Sequence, residues 1–336
     1  MRLSASLLTP LLVTLRPRPR MSRGSSVAAL KPALQLIDGG ADVISGFRER
    51  VAECNQLGQP SVPFFVGNTQ AGEVAESLIP HLRELGRDVF HCTDDAVRLT
   101  QDLAEATLKE RTEAVAQVTL ALREAGLVHG WRNELISLAT GFGDPPALNI
   151  ERACVPLFGG KGYGVFLNGW CRDPSDNMPW LWVAMRSKDK PTWPGMLDVM
   201  VGGAVSAGSS PSATLVQEAG EEAGIPDELA RQALPVSCCS YRGTDERGFL
   251  KRDVLFCYDL ELPWEFEPTA VDGEVESFER MSLSAVAEAV AYGQPAAFKP
   301  NCNLVVIDFL VRCGYLTPET PGYLRLLAEL RSGDCR

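Results

Sequence analysis

Apolar residues recur along this chain first at mixed spacings and then mostly in alternation, and the change of rhythm divides it. Val62 to Val66 reads as a strand, Glu73 to Leu85 carries the apolar spacing of an amphipathic helix, and Asp88 to Cys92 reads as another short strand. Between Thr107 and Ala125, positions Ala114, Val115, Val118, Leu120, Ala121 and Leu122 form one apolar face and Gly126 supplies a stop, which predicts a long helix. Ahead of these, 28–58 reads as helix-forming, with Leu30, Leu34, Leu36, Ile37 and Val43 apolar and Gly39-Gly40 a break. A small α/β unit is therefore expected over 28–148. From Ala153 the pattern turns strand-rich. Tyr163 to Trp170, Trp180 to Arg186 and Leu197 to Val201 are apolar or alternating runs parted by Gly, Pro and Asp-bearing turns. Leu234 to Tyr241 and Leu250 to Leu262 add strands, and Leu283 to Tyr292 and Asn303 to Arg312 add helices. A second unit is expected over 149–302, with a helical tail over 303–336 packed on it.

The stretch from Gly203 to Ile225 carries the chemistry. Glu218, Glu221 and Glu222 stand at i, i+3 and i+4, so a helix would bring their side chains to one face. An acidic helix is more often a solvated face. Its setting argues otherwise. The mostly apolar run Met196 to Val201 reads as a strand, broken by Gly202 and Gly203 where a backbone turns or approaches something closely. Ser209, Ser210, Pro211 and Ser212 supply cap and first-turn residues, and Gly224 with Pro226 supplies the stop. Strand, loop, acidic helix and glycine stop together suit a divalent cation and a phosphate. Mg²⁺ takes a few carboxylates, waters and substrate phosphates, and neutralises charge as a phosphoanhydride is cleaved.

This stretch resembles the Nudix box, GX5EX7REUXEEXGU with U aliphatic, at Gly203, Glu218, Ala219, Glu221, Glu222, Gly224 and Ile225. Ser209 stands where the box has its first Glu, and Gln217 where it has Arg. The resemblance extends from about Val62 to Ala328, to Nudix hydrolases with an N-terminal DUF4743-type domain, related to the Nudix part of fungal thiamin pyrophosphokinase fusions. Its carriers include Gly130-Trp131-Arg132-Asn133-Glu134, Ile150-Glu151-Arg152, Pro156-Leu157-Phe158-Gly159, Pro194-Gly195-Met196-Leu197-Asp198, Asp272-Gly273-Glu274-Val275-Glu276 and Phe298-Lys299-Pro300-Asn301-Cys302. It implies an α/β fold, a Nudix α/β/α sandwich with a mixed sheet, preceded by a small α/β N-terminal domain. It also implies Mg²⁺-dependent cleavage of the pyrophosphate bond of an organic diphosphate, with Mn²⁺ as an alternative ion. The thiamin-linked branch points to oxidised or otherwise damaged thiamin diphosphates, released as monophosphate plus phosphate. ADP-ribose or another nucleoside-diphosphate compound is the alternative substrate class. A binding protein without catalysis is the alternative outside enzymes, since Ser209 and Gln217 replace an opposite-charge pair.

Glu218, Glu221 and Glu222 are the expected metal ligands, with Glu221, Glu222 and Glu274 the catalytic candidates. Water held by a divalent cation loses its proton far more readily than bulk water, so a strong protein base is not obligatory. Glu274 sits on a glycine turn, where a surface charge is the plainer reading, and in Nudix proteins a downstream acid of this kind adds a ligand or serves as base. Arg186 and Lys188 are candidate diphosphate contacts, Arg by a bidentate fork, and are equally readable as solvated loop charges. Gly202 and Gly203 could bring backbone N–H groups to a phosphate oxygen or simply pack a tight turn. Trp131 to Glu134 could line a cleft between the units or hold a buried Trp with a paired Arg. His81, His91 and His129 have no ligand or triad spacing.

Composition narrows the class. The net charge of −11 over 336 residues disfavours a nucleic-acid backbone or an anionic membrane as partner. The first acidic residue is Asp38, after Arg2, Arg16, Arg18, Arg20 and Arg23, so 1–27 reads as a transit peptide for plastid or mitochondrion, with Met21 an internal start for a cytoplasmic form. The apolar stretch Leu7 to Leu15 is broken by Pro10 and too short to span a bilayer. Ten cysteines without a C-x-x-C pair suit free thiols of a reducing compartment.

Overall fold

The structure is a computed structural model and describes residues 40–333. The arginine-rich leader and the apolar positions Leu30, Leu34, Leu36 and Ile37 lie outside the described residues.

Helix α1 (Gly40–Cys54) precedes a small mixed sheet. Alternation in β1 (Ser61–Val66) buries Val62, Phe64 and Val66. This strand pairs antiparallel with β2 (Thr69–Ala75). After α2 (Ile79–Leu85), β3 (Phe90–Cys92) pairs with β4 (Val97–Leu99), and β4 runs parallel to β1, giving the order β2-β1-β4-β3. The helix expected from Glu73 begins later, because Glu73 to Ala75 complete β2 against β1 and Val74 is wholly buried there. Following α3 (Gln101–Glu105), the predicted long helix is α4 (Leu108–Glu124). Its start is fixed by a capping box in which Thr107 and Glu110 each accept from the other's backbone N–H. A hairpin of β5 (Leu135–Leu138) and β6 (Leu148–Glu151) closes this core with Phe64, Leu82, Val118 and Phe158.

The second sheet is built from β7 (Lys161–Arg172), β8 (Pro179–Arg186), β9 (Leu197–Asp198), β10 (Val201–Ala204), β11 (Leu234–Thr244), β12 (Leu250–Glu261) and β13 (Val275–Ser282). Its main order is β11-β12-β7-β8-β13, with β10 on β7 and β9 on β8; β12 runs parallel to β7 and the other pairs are antiparallel. Strand β13 was not expected, because charges at Glu276, Glu279 and Arg280 interrupt its apolar positions. Gly202 and Gly203 lie within β10 and do not end a strand. One face carries α5 (Pro211–Ala223) and α6 (Asp227–Ala230), packed through Leu215, Ala219 and Ala223 on Val165, Leu167 and Trp182. The other carries α7 (Leu283–Tyr292), α8 (Pro300–Arg312) and α9 (Tyr323–Glu329) over Phe166, Leu181, Val183 and Leu255. This is an α/β/α sandwich around a mixed sheet.

Two segments pack differently from their place in the sequence. Helix α1 buries Val43, Ile44, Phe47 and Val51 in the second core, beside α7 and α8, although the chain then leaves to build the first unit. Gly46 permits this, since a Cβ there would lie 2.6 Å from the carbonyl oxygen of Ala291. Arg48 adds a two-pronged contact to Glu329, at 2.9 and 3.0 Å. The expected tail begins at Pro300, and Leu304 to Leu310 are buried, so α8 is core. Glu73 joins the two units by accepting from both terminal nitrogens of Arg242, at 2.9 and 2.8 Å.

Candidate active site

Helix α5 starts where Ser210 accepts from the N–H of Ala213 at 3.2 Å, and ends at Gly224, whose φ of 63° is left-handed. Burying Leu215, Ala219 and Ala223 against the sheet sets Glu218 and Glu222 at the helix margin and leaves Glu221 exposed. Both glycines of β10 serve this contact. A Cβ on Gly203 would lie 2.3 Å from Glu218 Oε1. The N–H of Gly202 donates to Glu222 Oε2 at 2.8 Å. The phosphate contact expected through Gly202 is corrected accordingly, because its N–H is already bound to the Glu222 carboxylate, while Gly203 makes room for Glu218.

Glu222 meets two acids from a distant loop. Carboxylate oxygens of Glu222, Asp272 and Glu274 all lie within 4.8 Å of one another. Glu274 precedes β13, and its own N–H donates to Asp272 Oδ1 at 2.8 Å around Gly273, whose φ is 79°. Asp272 was not singled out from the sequence. Its signal was the Asp-Gly-Glu turn, which aims two carboxylates the same way. Glu218 and Glu221 stand outside this trio; Glu221 accepts from Gln217 Nε2 at 3.1 Å.

Burial pushes the Glu222 carboxyl up to about 8, reinforced by Asp198, Glu218 and Glu274 and opposed by the Gly202 N–H. Burial likewise pushes Glu218 up to about 7, with Glu221 adding and Arg152 opposing. Burial also raises Glu274, but the hydrogen-bonded ammonium of Lys190, with Arg132 and Arg186 behind it, holds the carboxyl below its ordinary value. Crowded carboxylates of this kind are relieved by a cation. The donor set is all oxygen and fits a hard divalent ion such as Mg²⁺ or Mn²⁺.

The expected phosphate cations are placed elsewhere. Arg186 is buried in β8 and donates to the carbonyls of Trp193 and Thr192, each at 2.9 Å, and to Asp198 at 2.7 Å. Its diphosphate role is corrected to one of scaffold. Lys188 is exposed and lies 3.1 Å from Glu276. Trp131 is half-buried, donating to Asn133 Oδ1 at 2.9 Å under the guanidinium of Arg123, and Glu134 receives Arg152 at 2.8 Å. A cleft of about 180 Å³ between the two units has Gly162, Gly164, Gly202 and Gly203 among its walls. Its charged lining is Arg152, Lys251, Arg252 and Lys299 against Asp253. Lys299 stands 3.7 Å from Asp198, and the cleft adjoins the carboxylates through Gly202, a wall residue whose N–H is bound to Glu222. A larger recess, about 530 Å³, lies between α5 and α6 and holds none of the clustered acids.

Residues 46–162 match the domain of unknown function DUF4743, and residues 170–302 match the NUDIX domain. The Arabidopsis thaliana protein Nudix hydrolase 24, chloroplastic, is 41% identical over 296 residues, covering 87% of this chain and 79% of that protein. Nudix hydrolase 20, chloroplastic, of the same plant is 41% identical over 303 residues with the same coverage of each chain, 87% and 79%. The Saccharomyces cerevisiae uncharacterized protein YJR142W is 36% identical over 215 residues, covering 60% of this chain and 61% of that one. An acidic helix locked to a glycine strand, acids converging on it and these relatives lead to one conclusion: the chain belongs to the Nudix hydrolases, which split a pyrophosphate bond in nucleoside diphosphate derivatives with the help of divalent metal ions.

Proposed function

We propose that this Nudix hydrolase acts in the plastid on a small organic diphosphate whose ring is uncharged, most specifically oxidised or otherwise damaged thiamin diphosphate, releasing the monophosphate and phosphate. One observation carries the reading. The cleft beside the carboxylates is lined by four cationic side chains and a single carboxylate, the cations leaning on acids that stand mostly behind the wall. Such a lining attracts a diphosphate and disfavours the permanently cationic thiazolium of intact thiamin diphosphate. Its volume of about 180 Å³, below the about 300–1,000 Å³ of sites for drug-sized ligands, takes the oxidised five-membered ring and its diphosphate arm and leaves the aminopyrimidine at the mouth. The chloroplastic relatives support the compartment.

In this reading Glu222, Asp272 and Glu274 hold the metal ion, with Glu218 alongside. The ion, when bound, offsets charge developing on the phosphates and acidifies water. Lys299 orients the diphosphate from the end of the cleft, and Val155, Pro156 and Phe166 exclude solvent from the ring. The proton released by the attacking water has an acceptor in Glu218, whose carboxyl titrates at about 7. Product analysis after incubation with oxidised thiamin diphosphates, thiamin diphosphate and ADP-ribose, each with Mg²⁺, Mn²⁺ or EDTA, tests the proposal. Metal-dependent turnover ranked neutral ring over thiazolium is expected. Preference for ADP-ribose would overturn the substrate, and tight binding without turnover would make the chain a binding protein.

A further inference from the structure

Helix α5, PSATLVQEAGEEA, contains three glutamates and no basic residue. The acids around it, Asp272 and Glu274, add to the same negative field, and Lys190 is engaged by Glu274. A cation acting on Glu218 must therefore come from another element. The loop between β10 and α5 is tied to the first unit at two points. Ala207 N–H donates to the carbonyl of Leu135 at 2.7 Å, and Ser206 Oγ donates to Glu134 Oε1 at 2.7 Å. The other oxygen of Glu134 accepts from Arg152 Nη1 at 2.8 Å. Arg152 is itself held in place, since its N–H donates to the carbonyl of Glu134 at 2.8 Å. Beside it the buried Glu151 carboxylate accepts the N–H groups of Arg132, Glu134 and Ala153, at 2.9, 3.2 and 3.2 Å. Arg152 lines the cleft together with Gly202 and Gly203, and Gly203 is the residue on which Glu218 packs.

We propose that Arg152 is a positioning residue of the active site, contributed by the N-terminal unit: through Glu134 and Ser206 it fixes the loop leading into the acidic helix, and it supplies the positive charge that helix lacks. The inference rests on the hydrolase reading above and deepens it, because it makes the N-terminal unit part of the catalytic apparatus. Arg152 is also the cation whose field opposes the upward push on Glu218. As a half-exposed pair, Arg152 and Glu134 contribute little to global stability. A purely structural role and a positioning role therefore separate in experiment.

The test compares the full chain with its Arg152→Met variant by hydrogen exchange and by steady-state kinetics on whichever diphosphate the wild type turns over. Exchange at the amides of 205–213 is expected to quicken at least fivefold, with the thermal midpoint nearly unchanged. Turnover is expected to fall at least tenfold, and by more than any rise in KM that follows from losing one cation of the cleft. Unchanged exchange in that loop, turnover within twofold of wild type, or a rise in KM alone would each overturn the inference. If the wild type turns over no diphosphate, the substrate reading fails, and the exchange measurement still decides whether Arg152 holds the loop.

Discussion

Replacing Glu222 by Gln should abolish turnover and at the same time make the metal-free protein more stable. The side chain is almost fully buried, and its carboxyl is pushed from an ordinary 4.5 up to about 8. Between those values the native state binds a proton that the unfolded chain does not, so stability is whole below about 4.5 and falls as pH rises toward 8. At about 1.4 kcal/mol per pH unit, the ionisable group costs the metal-free protein about 3 kcal/mol at pH 7 and about 5 kcal/mol above pH 9. A Gln keeps an oxygen for the N–H of Gly202 and has nothing to ionise. Urea unfolding in EDTA at pH 5, 6, 7, 8 and 9 measures the difference. The variant should gain little at pH 5 and about 3 kcal/mol at pH 7. Mg²⁺ should then stabilise the wild type and leave the variant nearly unmoved, because the ion binds the native carboxylates. Parallel stability curves for the two proteins between pH 5 and 9 would refute the reasoning.

Other perturbations read the same structure. Gly203→Ala should leave the protein folded but force Glu218 out of its rotamer, lowering turnover about tenfold, a barrier increase of about 1.4 kcal/mol; unchanged kinetics would mean that the contact with Glu218 is not needed. Arg186→Met should cost about 3 kcal/mol in urea unfolding by stranding the buried Asp198, and a loss below about 1 kcal/mol would show that Lys299 alone satisfies that carboxylate. Lys299→Met should raise KM for the diphosphate about tenfold, equivalent to about 1.4 kcal/mol of binding, with a smaller change in kcat; an unaltered KM would remove Lys299 from the substrate's path.

The acidic helix was legible because every device that makes it is local: the Ser210 cap, the Gly224 stop and the spacing of Glu218, Glu221 and Glu222. Strands β7, β8, β11 and β12 were legible as apolar or alternating runs, and the mixed sandwich they build was implied by the resemblance to Nudix proteins. Residues whose role depends on distant partners were not. Arg186 and Lys299 look alike as loop-side cations in the sequence, but one is enclosed by Trp193, Thr192 and Asp198 while the other lines the cleft. Asp272 reaches Glu222 only because β13 pairs with β8, and that pairing is hidden by the charges of β13. Glu73 to Ala75 have a helical spacing of apolar residues and are nonetheless a strand, since β1 offers them a backbone partner. Periodicity records which face is buried, and tertiary pairing decides the rest.

The position of α1 also sets a timetable for biosynthesis. Its apolar stripe, Val43, Ile44, Phe47 and Val51, finds its partners in α7, α8 and α9, the last of which begins about 270 residues after α1 ends. At about 5–20 residues per second of translation, the stripe leaves the ribosome roughly 15 to 50 seconds before the surface it covers exists. The first unit can close its own core in that interval, since Phe64, Leu82, Val118, Leu138 and Phe158 are all made by then. Helix α1 must meanwhile wait as a sticky nascent segment, a natural client for a chaperone, and a shortened gene beginning after residue 60 would deliver a Nudix sheet with one of its covering helices missing.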